Sequence, residues 1–170
     1  AATLAKEEIE KILHEFTTSP CAPWQMLAIT FTNKAANEIK SRLVSVLGDE
    51  SIATTVWSGT FHSICMRILR KYGERVGYAS GFTVYDTDDS KKAMKAVLAS
   101  LNIDEKVLPV KTALSAVSRA KDKLVSPENF LLEMGNDYRM QLIAKAYNGY
   151  QKRLADSNAL DFDDIIVRTV

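Results

Sequence analysis

The 170-residue sequence is poor in the residues that build small self-contained active sites, with 7 glycines, 2 cysteines and 2 histidines. No glycine is followed by lysine and no G-x-G-x-x-G occurs, so no glycine-rich phosphate cradle is written in it. An H-E-x-x-H pair is also missing, and His14 and His62 are the only imidazoles that could act as bases near neutral pH. Cys21 and Cys65 have no metal-ligand spacing and read as reduced, buried thiols. No apolar run approaches the roughly 20 residues of a membrane helix. The first residues, with Lys6, Glu7, Glu8, Glu10 and Lys11, lack the apolar core of a signal peptide. A soluble, cytoplasmic protein with no membrane partner is expected. Neither sign of charge is in excess: 22 Lys and Arg face 21 Asp and Glu, for a net +1. Composition alone therefore gives no reason to expect a nucleic-acid partner.

What is present is an alternation of short apolar runs and amphipathic stretches. Leu4, Ile9 and Ile12 mark an opening helix without a cap, followed by a loop over 17–23. Met26-Leu-Ala-Ile-Thr-Phe31 reads as a strand covered on both faces. It passes into a helix carrying Ala36, Ile39, Leu43, Val46 and Leu47 and stopped by Gly48. A second unit follows, with Thr54-Thr-Val-Trp57 as the strand and Ser58-Gly59-Thr60 as the turn. Its helix carries Phe61, Ile64, Cys65, Ile68, Leu69 and Tyr72, and Phe82–Tyr85 makes a third strand. Such alternation predicts an α/β layer with a largely parallel sheet.

From Asp86 to about Ser157 the pattern is helical throughout. The stripes are Met94, Val97, Leu98 and Leu101; Leu114, Val117 and Leu124; Phe130, Leu131 and Met134; and Leu142, Ile143, Ala146, Tyr147, Tyr150 and Leu154. Ser126-Pro127-Glu128 supplies a cap, a proline at the first helical position and an early acid. Asn158–Asp164 then opens another helix, where the chain returns to the α/β layer. The apolar ending through Val170 has no closing Gly, Asn or Pro and reads as cut.

In a parallel sheet, ligands bind beyond the carboxyl ends of the strands, where helix N-termini converge. Thr30-Phe-Thr-Asn-Lys34 and Ser58-Gly-Thr-Phe-His-Ser63 each place hydroxyls, a cation or imidazole and one phenylalanine at such a junction. Hydroxyls and helix-start amides suit phosphate oxygens, and the ring suits a base face, which suggests a single-stranded nucleic-acid track. The same residues would also serve as ordinary caps, with Phe31 and Phe61 in the core. The signs of charge are segregated within the neutral total. His62, Arg67, Arg70, Lys71 and Arg75 face only Glu74, and Lys34, Lys40 and Arg42 face Glu38. Lys111, Arg119, Lys121 and Lys123 face Asp122, while acids gather at Asp86, Asp88 and Asp89 and again at Asp156–Asp164.

Thr30-Phe-Thr-Asn-Lys-Ala-Ala36 with Glu38 and Arg42, Gly59-Thr-Phe-His-Ser63 with Arg67-Ile-Leu-Arg70, Phe82-Thr-Val-Tyr-Asp86, and Tyr150-Gln151 with Asn158–Asp164 occur in an order that spans nearly the whole chain. Together they resemble the UvrD/Rep/PcrA-type superfamily 1 DNA helicases. The resemblance implies an α/β fold: a partial RecA-like P-loop NTPase parallel sheet with an inserted all-helical subdomain. It divides the chain into 1–85 (subdomain 1A), 86–157 (helical subdomain 1B) and 158–170 (return to 1A).

It also implies that Phe31, Thr32, Asn33 and Lys34, and Thr60, Phe61 and His62, touch single-stranded DNA, that Phe162 lines a base pocket, and that Arg42 lies near the nucleotide. Arg119, Lys121 and Lys123 are then the basic candidates of a lobe beside the single-strand/duplex junction. The parent would be an ATP-dependent 3′-to-5′ helicase using ATP and Mg²⁺. Its P-loop and Asp-Glu strand are expected upstream of Ala1 and beyond Val170. This piece alone is therefore expected to bind neither cofactor and to hydrolyse no ATP. A RecB- or AddA-like helicase-nuclease shares these motifs, and a non-catalytic DNA-binding or interaction module is the alternative of another class.

Overall fold

The computed structural model describes residues 8, 11, 14, 21–133 and 137–170. Leu4, Ile9, Ile12 and Met134, from the expected stripes, lie outside the described residues. The chain forms two compact units, Ala1–Ile64 and Cys65–Val170.

In the first unit, strand β1 (Leu27–Thr30) pairs in parallel with β2 (Trp57–Thr60), from Leu27 opposite Trp57 to Thr30 opposite Thr60. Helix α1 (Asn33–Leu47) starts where Thr32 Oγ1 accepts from Ala35 N at 3.2 Å. It ends at Gly48, whose φ of 68° is left-handed and whose N–H donates to Val44 O. Helix α2 (Glu50–Thr55) begins on Asp49, which accepts from Ser51 N and Ile52 N. The strand expected over 54–57 is thus displaced. Thr54 and Thr55 end a helix, their hydroxyls donating back to Ser51 O and Ile52 O, and the strand occupies the expected turn. β-Branched residues satisfied by such local bonds are no obstacle to a short helix behind a strong cap.

Strand β1 also departs from expectation, because it is not covered on both faces. Leu27 is 56% and Ile29 36% exposed, while Ala28 and Thr30 are half-buried. One face of the strand packs and the other is open. Cys21 is exposed and Cys65 half-buried, both as free thiols, so the expected burial fails for Cys21.

In the second unit, β3 (Thr83–Val84) pairs in parallel with β4 (Ala159–Leu160). Between these strands the described residues form α4 (Thr87–Ser100), α5 (Val110–Asp122), α6 (Pro127–Glu133) and α7 (Tyr138–Asp156). Every apolar residue read onto the stripe of α7 is buried. It packs with Met94 and Leu98 of α4 and with Ala113, Ala116, Val117 and Ala120 of α5 in one apolar cluster. The small side chains of α5 let its backbone come close. Gly149 does the same for α7, where a Cβ would stand 2.7 Å from Val97 Cγ1. Three expected stripe members between β3 and β4 are outside the core, the first being Leu101, exposed just past the end of α4. Leu124 follows the end of α5 with φ 55° and is exposed, and Leu131 is exposed on α6. Ser126 caps α6 as expected, accepting from Asn129 N at 3.2 Å. Helix α3 (Phe61–Tyr72) precedes β3 in the chain, and α8 (Phe162–Val167) follows β4. Leu69, Tyr78, Phe82, Leu160 and Ile165 make a second, smaller cluster. The short strand β4 was not legible as a strand, because two residues carry no period.

Candidate nucleic-acid interface

The parallel register of β1 and β2 brings their last residues, Thr30 and Thr60, side by side. Both expected junctions therefore emerge at one edge of the same small sheet. The next residue in each is a phenylalanine, and the rings of Phe31 and Phe61 meet with centroids 5.2 Å apart and planes tilted by 41°. Neither ring is in the core: Phe31 is 88% and Phe61 40% exposed. A solvent-facing aromatic pair forgoes the stabilisation that burial of such rings brings, and it leaves π faces open to a planar ligand.

The hydroxyls beside the pair have structural work. Thr32 caps α1, and Thr60 Oγ1 accepts from Ser63 N at 3.3 Å while Ser63 Oγ donates to Thr60 O at 2.8 Å. The cap interpretation therefore holds for the threonines, and the core interpretation fails for the phenylalanines. Gly59 is required for this packing, since a Cβ there would lie 2.3 Å from Ser63 Oγ. Asn33 and Lys34 are exposed in the first turn of α1, and His62 is half-buried in the first turn of α3. Two helix N-termini, each with its partial positive charge, thus open beside the aromatic pair. Arg42, two turns along α1, is exposed and ion-paired to Glu38 at 2.6 Å.

The third expected aromatic belongs to the second unit. Phe162 is the first residue of α8 and is 58% exposed. It forms one wall of a cleft of about 470 Å³ bordered also by Tyr85, Ser90, Ser115 and Tyr150. On either side of Phe162 in sequence are two buried acids. Asp161 caps α8, accepting from Asp164 N at 2.9 Å, and Asp164 reaches back toward Asp161 N.

Lys121 does not belong to the exposed basic set. Its side chain is fully buried, with Nζ 2.6 Å from Asp161 Oδ2 and 2.9 Å from Asp164 Oδ1. It also stands 5.5 Å from the centroid of the Tyr150 ring. Both carboxylates hold its ammonium inside the fold, so it cannot at the same time meet a phosphate. The sequence carried this signal: Lys121 is four residues after Val117 and next to Ala120, on the buried face of α5. Arg119 and Lys123 remain exposed. Arg70 is likewise engaged, donating to Phe82 O at 2.9 Å and lying 4.1 Å over the Phe82 ring.

Burial dominates the electrostatics here. It pushes the Asp164 carboxyl above its ordinary range, opposed by Lys121. Burial likewise pushes the Tyr147 hydroxyl up to about 12. Gln151 completes the cluster, donating to Asp164 Oδ1 at 3.0 Å. For a nucleotide the residues present do not suffice. The strand ends here lead into Thr-Asn-Lys and Phe-His-Ser turns with no glycine-lysine loop.

The family described as UvrD/REP helicase N-terminal domain matches residues 9–170. An ATP-dependent DNA helicase PcrA of Staphylococcus epidermidis is 44% identical over 149 residues, covering 88% of this chain and 20% of that protein. An ATP-dependent DNA helicase PcrA of Staphylococcus aureus is 43% identical over the same length, with the same coverage. The chain thus spans about a fifth of the length of the curated relatives it matches.

Proposed function

The chain belongs to the UvrD/REP helicase N-terminal domain family, and on that premise we propose that it is part of the motor region of an ATP-dependent DNA helicase, to which it contributes single-strand contacts. The observation that carries this reading is the exposed Phe31–Phe61 pair at the carboxyl edge of β1 and β2. Rings stack on successive bases whatever their identity. Thr32, Asn33, Lys34, Thr60 and His62 flank them as partners for the backbone, and Phe162 offers a further base platform beside its cleft.

The helices between β3 and β4 are proposed as the 1B lobe, spanning 86–157, with 1–85 and 158–170 forming 1A. Arg119 and Lys123 would face the single-strand/duplex junction. The parent is proposed to translocate 3′ to 5′ in the cytoplasm. No described helix is long and apolar enough to cross a membrane. In the parent, ATP hydrolysis would supply the energy, with Mg²⁺ offsetting charge on the phosphates, and Arg42 is the residue of this chain proposed to approach the nucleotide. No hydrolytic step is assigned to the residues present, and the chain alone is expected to hydrolyse no ATP.

Fluorescence anisotropy of a labelled oligothymidylate tests the reading. The chain is expected to bind it, with log K falling linearly in log salt at about −0.7 per phosphate neutralised. Binding that is absent at low salt, or that ignores salt, contradicts the proposal.

A further inference from the structure

The cluster around Lys121 holds both acids of the turn that carries an exposed aromatic, Phe162. Helix α8 spans Phe162–Val167, too short to hold its own geometry in water. Its first turn is fixed by two outside elements and by its own cap. Lys121 of α5 binds both Asp161 and Asp164, Gln151 of α7 donates to Asp164, and the two acids cap one another across the turn. Phe162, alone among the side chains of that turn, is largely exposed. Its backbone lies between the two carboxylates that Lys121 grips. Loss of the ammonium would leave two buried carboxylates without their counter-charge, to be relieved by taking up a proton or by moving the turn, and either way the bonds by which Lys121 fixes that turn are gone.

We infer that Lys121 is a positioning residue for DNA: through Asp161 and Asp164 it sets the direction in which Phe162 presents its ring to a nucleobase. The inference rests on the reading of Phe162 as a base platform. It also replaces the role that sequence gave Lys121, since an ammonium held by two carboxylates inside the fold neutralises no phosphate. The two roles leave different signatures. A phosphate contact contributes to the salt dependence of binding and acts independently of Phe162, whereas a positioning residue acts only through Phe162.

A double-mutant cycle separates them, using the full chain and a labelled oligothymidylate over a range of salt. Phe162→Ala is expected to weaken binding about tenfold. Lys121→Met is expected to weaken it about fivefold, with the salt slope unchanged, and the double variant to bind no more weakly than Phe162→Ala alone. Additive losses, or a slope shallower by about 0.7 in Lys121→Met, overturn the inference and leave the base-platform reading intact. Undiminished binding by Phe162→Ala overturns both, and the single variant reveals it. Should Lys121→Met fail to fold, Asp161→Asn keeps a capping oxygen while removing the charge opposite Lys121. In the cycle its loss is likewise expected to vanish in the Phe162→Ala background, and additive losses overturn the inference.

Discussion

The two units spend their apolar residues differently. The helices between β3 and β4 bury theirs around Met94, Leu98, Leu108, Tyr150 and Leu154, each with no exposed surface. The first unit buries Ala36, Ala53, Val56 and Ile64, and leaves Trp24, Leu27, Ile29 and Phe31 largely or partly open. One region holds its shape by a packed core. The other is a shallow parallel pair whose aromatic edge faces outward, as a surface that receives a ligand requires. Burial is thus concentrated in the second unit, while the first leaves most of its larger apolar side chains open.

This contrast can be broken most forcefully in the packed region. Leu98→Ala removes a fully buried side chain between α4 and its neighbours and should cost about 2–5 kcal/mol, read as a lower denaturation midpoint by far-UV circular dichroism. Both tryptophans, Trp24 and Trp57, lie in the first unit. Their fluorescence should therefore change at lower denaturant than the dichroism does. Coincident transitions would show that the two units unfold together and would remove the contrast.

A smaller effect comes from pH, and its sign differs between buried and exposed acids. Burial raises the Asp164 pKa, so the folded chain keeps that proton where the unfolded chain has lost it. The resulting stability is fully present below the ordinary value of 3.8 and is lost as pH rises through the raised value. Asp86 runs the other way. Its hydrogen bonds from Asp89 N and Asp88 N lower it, so its contribution is present above 3.8 and is lost as pH falls. Asp164→Asn removes the first dependence. The Tm of that variant should gain on the unaltered chain as pH rises from acid to neutral. A difference that is flat with pH would contradict the assignment. Least of all, Ile29→Ala on the open face of β1 should change stability by about 0.5 kcal/mol. A loss comparable to that of Leu98→Ala would show that this face is packed in solution.

Much of this was legible from periodicity and caps. The α7 stripe, the Thr32 and Ser126 caps, the Gly48 stop and the two aromatic junctions all follow from local rules, because each is fixed within a few residues. What escaped depends on partners distant in sequence. Val56 and Trp57 look like the middle and end of a strand over 54–57, yet the Asp49 cap pulls Thr54 and Thr55 into a helix, and pairing with β1 sets the strand at Trp57–Thr60. The exposure of Phe31 and Phe61 depends on what lies across the sheet edge, which no local pattern encodes. Lys121 read as one charge in a basic run, and only Asp161, 40 residues away, and Asp164 beyond it give it a different role. Its place on the buried face of α5 was the visible sign.

The ring of Phe31, exposed at the sheet edge, is proposed to contribute to single-strand recognition and nothing to the core. The most direct measurement compares oligothymidylate affinity and Tm for Phe31→Ala and the unaltered chain at one salt concentration. A loss of about 1–3 kcal/mol in binding with an unchanged Tm is predicted. Equal affinity, or a loss of affinity that tracks a fall in Tm, would contradict the account.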